Sequence, residues 1–166
     1  MTKTKGEKAK VISADRSLQT KVGTGEISKT SIEKSQKVMD TNQIDFEPMA
    51  MKYLKDLGQA IALAKTGADT QKTIKALKTP VMQLKGNASV FQYDLIGKLA
   101  NVMLNFLQAV KVVDEDAIAI IEAHQKTLTA IVMKKMKGNG GRFGQQMEKE
   151  LVDACRRYEA KQLLAK

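Results

Sequence analysis

Few side chains in this sequence can carry covalent or metal chemistry. The 166 residues include one histidine, His124, and one cysteine, Cys155. A single His and a single Cys cannot assemble an ordinary zinc-ligand set, and no Ser-His-Asp or Cys-His arrangement has a base other than His124. Enzymatic activity, a metal and a cofactor are therefore not expected. The more informative spacing belongs to lysines: Lys75, Lys78 and Lys85 recur at helical intervals around Met82, and no acidic residue falls between Asp69 and Asp94. A thioether has no proton to lose and would have to become a sulfonium to attack anything. It can, however, mould itself to a partner, and the basic strip around it suits an acidic surface. One further segment, Gly138-Asn139-Gly140-Gly141-Arg142-Phe143-Gly144, has the composition of a loop that cradles phosphate at a helix start. No strand precedes it and no P-loop lysine follows, so a flexible interhelical connection is the preferred reading.

These residues need a helix to position them. At about 100° per residue, Ile74, Leu77, Val81 and Leu84 define one apolar stripe, and Met82 lies about a third of a turn away from it. Asp69 or Thr70 can cap this helix, which ends near Gly86-Asn87. Pro80 leaves two possibilities open. Either one helix runs through it with a kink, or Thr79-Pro80 opens a shorter helix, in which case Lys75 and Lys78 need not align with Met82. An earlier helix has Pro48 in its first turn and Met51, Leu54, Leu57, Ala60 and Ile61 on its apolar face, stopping at Thr66-Gly67. A later one runs from about Val90 to Val113, with Leu95, Leu99, Val102, Phe106 and Val110 inward. The next, capped by Asp114, carries Ile118, Ile121, Leu128, Ile131 and Val132 and continues through Lys134, Lys135 and Lys137 to Gly138. The last spans about Phe143 to Leu164, with Met147, Leu151, Ala154, Cys155 and Tyr158 inward. Cys155 reads as core packing more than as a reactive thiol.

Short connections between these segments predict antiparallel neighbours. The expected fold is all-α, an up-down antiparallel four-helix bundle over residues 46–166 with an additional helix. The 43% hydrophobic content suffices for one such core, and 4% aromatic content with no Trp favours helices packed on helices. Residues 1–45 scatter Lys and Arg among Ser, Thr, Gly and Gln without a sustained apolar stripe, and read as a basic, disordered tail. Within it, a transient helix on a partner is the alternative for Ile27 to Met39, and a solvated arm is the preferred reading. The start Met1-Thr2-Lys3-Thr4-Lys5-Gly6 lacks a secretory apolar run, and no stretch reaches the roughly 18 to 20 apolar residues that span a bilayer. A cytoplasmic protein with no membrane partner is expected. Its formal charge of +10 makes nucleic acid a second candidate partner, through the tail and Lys134, Lys135, Lys137 and Arg142. Against it stand the absence of interleaved aromatics for base stacking and the dilution of the tail by Glu7, Asp15, Glu26, Glu33, Asp40 and Asp45.

The run Met82-Gln83-Leu84-Lys85-Gly86-Asn87-Ala88-Ser89-Val90-Phe91 resembles the H-x-L-K-G-x-A-x-x-F core of histidine-containing phosphotransfer domains, with Met82 at the position of the phosphorylated histidine. The segments around Ala123-His124 and Lys137-Gly138-Asn139-Gly140-Gly141 are similar to those of stand-alone bacterial members, and the resemblance extends from about Phe46 to the C-terminus. Gln92 stands where many relatives have glycine. The resemblance implies a place in two-component phosphorelay signalling, with a response-regulator receiver domain or a histidine kinase as partner. In that family the lysine three positions after the histidine and the glycine four after it support the phosphoryl group and permit close approach. Here these are Lys85 and Gly86, and Phe91 would pack below the site. With Met82 as acceptor position no phosphoryl transfer is possible, so the expected function is that of a non-phosphorylatable adaptor. Its docking face would comprise Met82, Lys85, Gly86, Gln83, Lys78 and Lys75. His124 lacks the L-K-G arrangement after it and lies on a different helix; a structural hydrogen bond is its expected role.

Overall fold

A computed structural model of the chain describes residues 15–23, 25, 27–41 and 45–164. All secondary structure among them is helical: α1 (Ser17–Val22), α2 (Lys29–Asp40), α3 (Phe46–Lys65), α4 (Thr70–Ala88), α5 (Asp94–Ala109), α6 (Glu115–Met133) and α7 (Gly141–Leu164). Contacts divide the chain into two units, Met1–Asn42 and Gln43–Lys166. In the first, α2 is capped by the Ser28 hydroxyl, which accepts from the Ser31 amide, and none of its residues is buried. This helix falls in the segment Ile27 to Met39, where the sequence reading weighs a transient helix on a partner against a solvated arm. No helix among the described residues is long and apolar enough to cross a membrane.

The second unit follows from capping and stripe patterns that are largely local. The Asp45, Asp69 and Asp114 carboxylates accept from the first-turn amides of Glu47, Lys72 and Ala117, satisfying donors that a helix start leaves unpaired. Pro48 lies in the first turn of α3, and Gly67, at φ 73°, turns the chain after Thr66. The helices are joined in a ring of contacts: α3 packs on α4, α4 on α5, α5 on α6 and α6 back on α3, while α7 lies against α5 and α6. Their buried faces form two clusters. One gathers Leu57, Ile61, Leu77, Val81, Phe106 and Ile121, with Tyr158 edge-on to Phe106 at 5.3 Å. The other gathers Leu54, Leu84, Leu99, Leu128 and Val132 around Phe46, whose ring is flanked by Phe91 at 5.2 Å and Tyr93 at 4.9 Å.

Three boundaries differ from the sequence reading. The expected start of the third helix at Val90 is a turn, because Gln92 takes φ 63° and the Tyr93 amide returns to the Ala88 carbonyl; α5 therefore begins at Asp94. Its end comes at Ala109, since Val110 is extended and turns its side chain into the core. The fourth helix stops at Met133, before the three lysines expected inside it. Lys135 there adopts φ 49° while its ammonium reaches Glu47 at 3.1 Å, and the Met136 amide closes back onto the Ile131 carbonyl.

The glycine-rich connection between α6 and α7 is not a flexible link but a clamp. Gly138 donates to the Gln92 carbonyl at 2.6 Å and accepts from the Leu95 amide at 3.0 Å, tying this segment to the α4–α5 turn. Gly144 is buried, and a Cβ there would lie 2.3 Å from the Asn139 carbonyl oxygen. Backbone, not a flexible side chain, is in the way. Gly144→Ala is expected to destabilise the protein by about 3 kcal/mol, read as a lowered urea midpoint; an unshifted midpoint would show that the connection yields.

Candidate functional site

The outward face of α4 is fixed by its inward one. Thr73, Ile74, Leu77, Pro80, Val81, Leu84 and Ala88 are buried, whereas Met82 is 60% exposed. The helix is continuous from Thr70 to Ala88, with Pro80 inside it and on its buried side. The missing N–H of Pro80 removes one rung of the helix, and the Thr79 hydroxyl donates to the neighbouring Lys75 carbonyl at 3.0 Å. Of the two readings that Pro80 leaves open, the continuous helix is the one formed. Lys75, Lys78, Lys85 and Gly86 therefore all lie within about 60° of Met82 around the axis.

The six positions expected to form one face separate into two groups. Lys78, Met82 and Lys85 share a cleft of about 250 Å³ between α4 and α5. Lys75 continues the same strip along α4, and Gly86 borders it with nothing within 4 Å of where a Cβ would stand. Gln83 does not join them: it lines the groove on the other side of α4, against Tyr53, Asp56 and Gln59 of α3. The second wall of the cleft comes from α5, through Asn101, Leu104, Asn105 and Gln108. Lys85 Nζ spans the cleft and donates to Asn101 Oδ1 at 2.8 Å. The α5 wall escapes a reading of sequence motifs because it has none. Its signal is weaker: carboxamides at 101, 105 and 108 on one helix face, in a stretch free of acidic residues from Leu95 to Val113.

Charge is distributed unevenly over the helices. α4 carries Lys72, Lys75, Lys78 and Lys85 with no acidic residue, and α5 has Lys98 and only Asp94, at its first position. None of these five lysines forms an ion pair among the described residues, whereas Lys65 pairs with Glu122, Lys135 with Glu47 and Lys161 with Asp116. The pairing of Lys135 also bears on the alternative basic patch. Lys134, Lys137 and Arg142 are exposed at the α6–α7 connection, but Lys135 between them is engaged by Glu47, with Asp45 at 4.0 Å, and these carboxylates raise its pKa.

The other reactive groups point inward. Burial pushes the Cys155 thiol up to about 11, which leaves it protonated in the core. His124 on α6 is fully buried; its Nδ1–H donates to the Ile120 carbonyl at 2.9 Å. This fixes the tautomer and leaves Nε2 as a buried acceptor without a partner among the described residues, as is the Thr73 hydroxyl. Phe91 stacks on Phe46 beneath the end of α4, and Gln92 beside it occupies the left-handed region that glycine enters without strain.

Compared with protein-family models, with curated proteins and with solved structures, the chain matches none.

Burial holds the His124 pKa below its ordinary value of 6.5. Below that value the unfolded chain takes up the proton first, so its contribution to stability is complete above pH 6.5 and is lost as the pH falls. Urea midpoints at about pH 7.5 and 5.5 should differ in this sense, and His124→Leu should shrink the difference. An equal slope in the variant would assign the acid sensitivity elsewhere.

Proposed function

We propose that this chain is a helical binding module of the phosphotransfer-domain type, docking through the exposed face of α4. More narrowly, we infer a pseudo-phosphotransfer adaptor. It engages a response-regulator receiver domain or a histidine kinase and modulates that partner without carrying phosphate. The observation that carries this reading is the placement of Met82, exposed at the centre of a lysine strip that has no ion pair among the described residues, on one unbroken helix.

Several features support it. The ring of contacts from α3 through α6 fits an up-down four-helix bundle with α7 as the additional helix, and Met82 then sits on the second helix of that bundle. Gly86 is open, so its lack of a side chain serves no internal contact and leaves the surface beside Met82 accessible to another backbone. Gln92, where glycine is common in the family the motif resembles, has the backbone conformation that favours glycine. The acid-free strip supplies the complement to a carboxylate-lined pocket such as a receiver carries. Such complementarity speeds encounter and sets orientation more than it adds affinity. The chemistry of transfer is absent because a neutral thioether cannot form a phosphoramidate-like intermediate or lose a proton on attack. His124 offers no substitute: its imidazole is buried on α6, without access to the α4 face.

Lys85→Glu should weaken binding to a cognate receiver by about tenfold, with most of the loss in the association rate and erased by high salt. Titration calorimetry on receivers captured from nuclease-treated lysate measures it. Unchanged affinity removes this face from the reading, and salt-sensitive binding of an added oligonucleotide with no receiver captured favours the Lys134, Lys137 and Arg142 patch instead. Gly86→Ala separates stability from docking. In an exposed helix interior it should stabilise the fold by about 0.5–1 kcal/mol, while the new methyl weakens the receiver complex. Tighter binding by this variant would count against close approach at Gly86.

A further inference from the structure

We propose that the end of the bundle where the α4–α5 turn meets the α6–α7 connection docks on an anionic lipid bilayer. Met133 and Phe143 enter between the headgroups, and Lys134, Lys137 and Arg142 meet their phosphates. The contact is peripheral, since no helix among the described residues is long and apolar enough to cross a membrane. The expectation of no membrane partner rests on the lack of a spanning run, which bears on crossing a bilayer and not on resting at its surface. This surface is not the outer face of α4, so neither reading depends on the other.

Packing decides what this end shows. Ile131 and Val132 are buried, so Met133, the last residue of α6, is turned outward and is 65% exposed. Gly144 packs against the Asn139 carbonyl and the Leu95 side chain, which fixes the first turn of α7. Phe143, about 100° away around the helix, is left 54% exposed. Gly138 is bonded to Gln92 and Leu95, which brings the α4–α5 turn to the same end with its exposed Val90. Apolar side chains gathered at one end and rimmed by charge mark a surface built for a partner.

Charge selects that partner. Between Glu122 and Glu148 the sequence has no acidic residue and five cations, Lys126, Lys134, Lys135, Lys137 and Arg142. At the Gln92–Gly138 hydrogen bond this stretch meets the other acid-free one, residues 70–93. Of the carboxylates nearby, Asp45 and Glu47 are engaged by Lys135, and Asp94 lies in the first turn of α5, where the helix N-terminus offsets its charge. The opposite end provides an internal comparison. It too exposes apolar side chains, Val112, Leu163 and Leu164, but there Gln162 bonds to Asp114 and Lys161 to Asp116, with Glu115 between them. An anionic surface is repelled by that acidic run and drawn to the α6–α7 end. Nucleic acid would meet the same cations, but its phosphates make no use of Met133 and Val90. A bilayer takes both kinds of side chain at once, cations at headgroup level and apolar tips below it.

The chain has no tryptophan, so Phe143→Trp and Val112→Trp each place a single reporter at one end of the full-length protein. With vesicles of equal parts phosphatidylserine and phosphatidylcholine, the emission of Phe143→Trp should shift to the blue and be quenched by lipids brominated on their acyl chains. Val112→Trp should show neither. Lys134→Gln with Lys137→Gln should weaken vesicle binding about thirtyfold, the loss expected for two lysines at an anionic surface. Lys72→Gln with Lys111→Gln removes the same charge from the other end and should cost at most about threefold, because those groups lie beyond the screening length. Met133→Ser with Phe143→Ser should abolish the part of the binding that survives high salt, with an unchanged urea midpoint showing that the fold is kept. An unshifted Phe143→Trp emission, equal binding to phosphatidylcholine alone, equal losses from the two lysine pairs, or a serine variant that binds as the parent does each overturn the proposal. An oligonucleotide bound more tightly than the vesicles, with the Phe143→Trp emission unmoved by lipid, assigns the cations to nucleic acid instead.

Discussion

The arrangement depends on the burial of one stripe of α4. Ile74, Leu77 and Val81 enter one hydrophobic cluster and Leu84 and Ala88 the other, so this helix spans both halves of the core while lying against α3 and α5. Each of the four larger side chains removed from water is worth about 1.5–3 kcal/mol. Rotating α4 far enough to bury Met82 would expose several of them at once, a cost no contact made by one thioether can offset. What α4 presents outward is therefore decided by what it must present inward, and the lysine strip has no alternative but the surface.

The same logic explains how Pro80 is tolerated. In a helix interior proline removes a backbone hydrogen bond and crowds the preceding turn, a penalty of about 3 kcal/mol. Here it contributes apolar surface on the buried side between Leu77 and Val81. Tertiary burial holds the helix through a residue that local preference would use to start a new one. Had the chain broken at Thr79, the lysines at 75 and 78 would belong to a different element from Met82, and no common face would exist.

At the end of α4 a second constraint operates through backbone instead of side chains. Gly138 exchanges hydrogen bonds with Gln92 and Leu95, and close contacts at Gly140 and Gly144 leave no room for side chains. This holds the α6–α7 connection on the α4–α5 turn and fixes the start of α5 at Asp94, which sets the phase of that helix. The phase in turn brings Asn101 opposite Lys85. A segment whose composition suggests phosphate binding thus serves the packing, by registering the second wall of the cleft.

Much of this molecule is local and legible in the residues alone. Asp69 and Asp114 as caps, Pro48 in a first turn, the stripes of α3, α4 and α7, and the outward placement of Met82 with Lys85 all follow from periodicity and side-chain chemistry within a few residues. The inward placement of Cys155 is of the same kind. Other features depend on partners distant in sequence and so had no local signature. Lys135 ends α6 where it meets Glu47, Gln92 accepts a strained turn to bond Gly138, and Gln83 falls into the α3 groove because α3 packs on that side. The carboxamide wall of α5 is the clearest case. Asn101, Asn105 and Gln108 look like ordinary surface residues until packing sets them against α4. The sequence determined which face of α4 is basic, because a helix's periodicity is intrinsic to its own chain. Only tertiary structure decided that this face has an opposite wall, because which two helices meet, and in what phase, is set by how their buried stripes fit together.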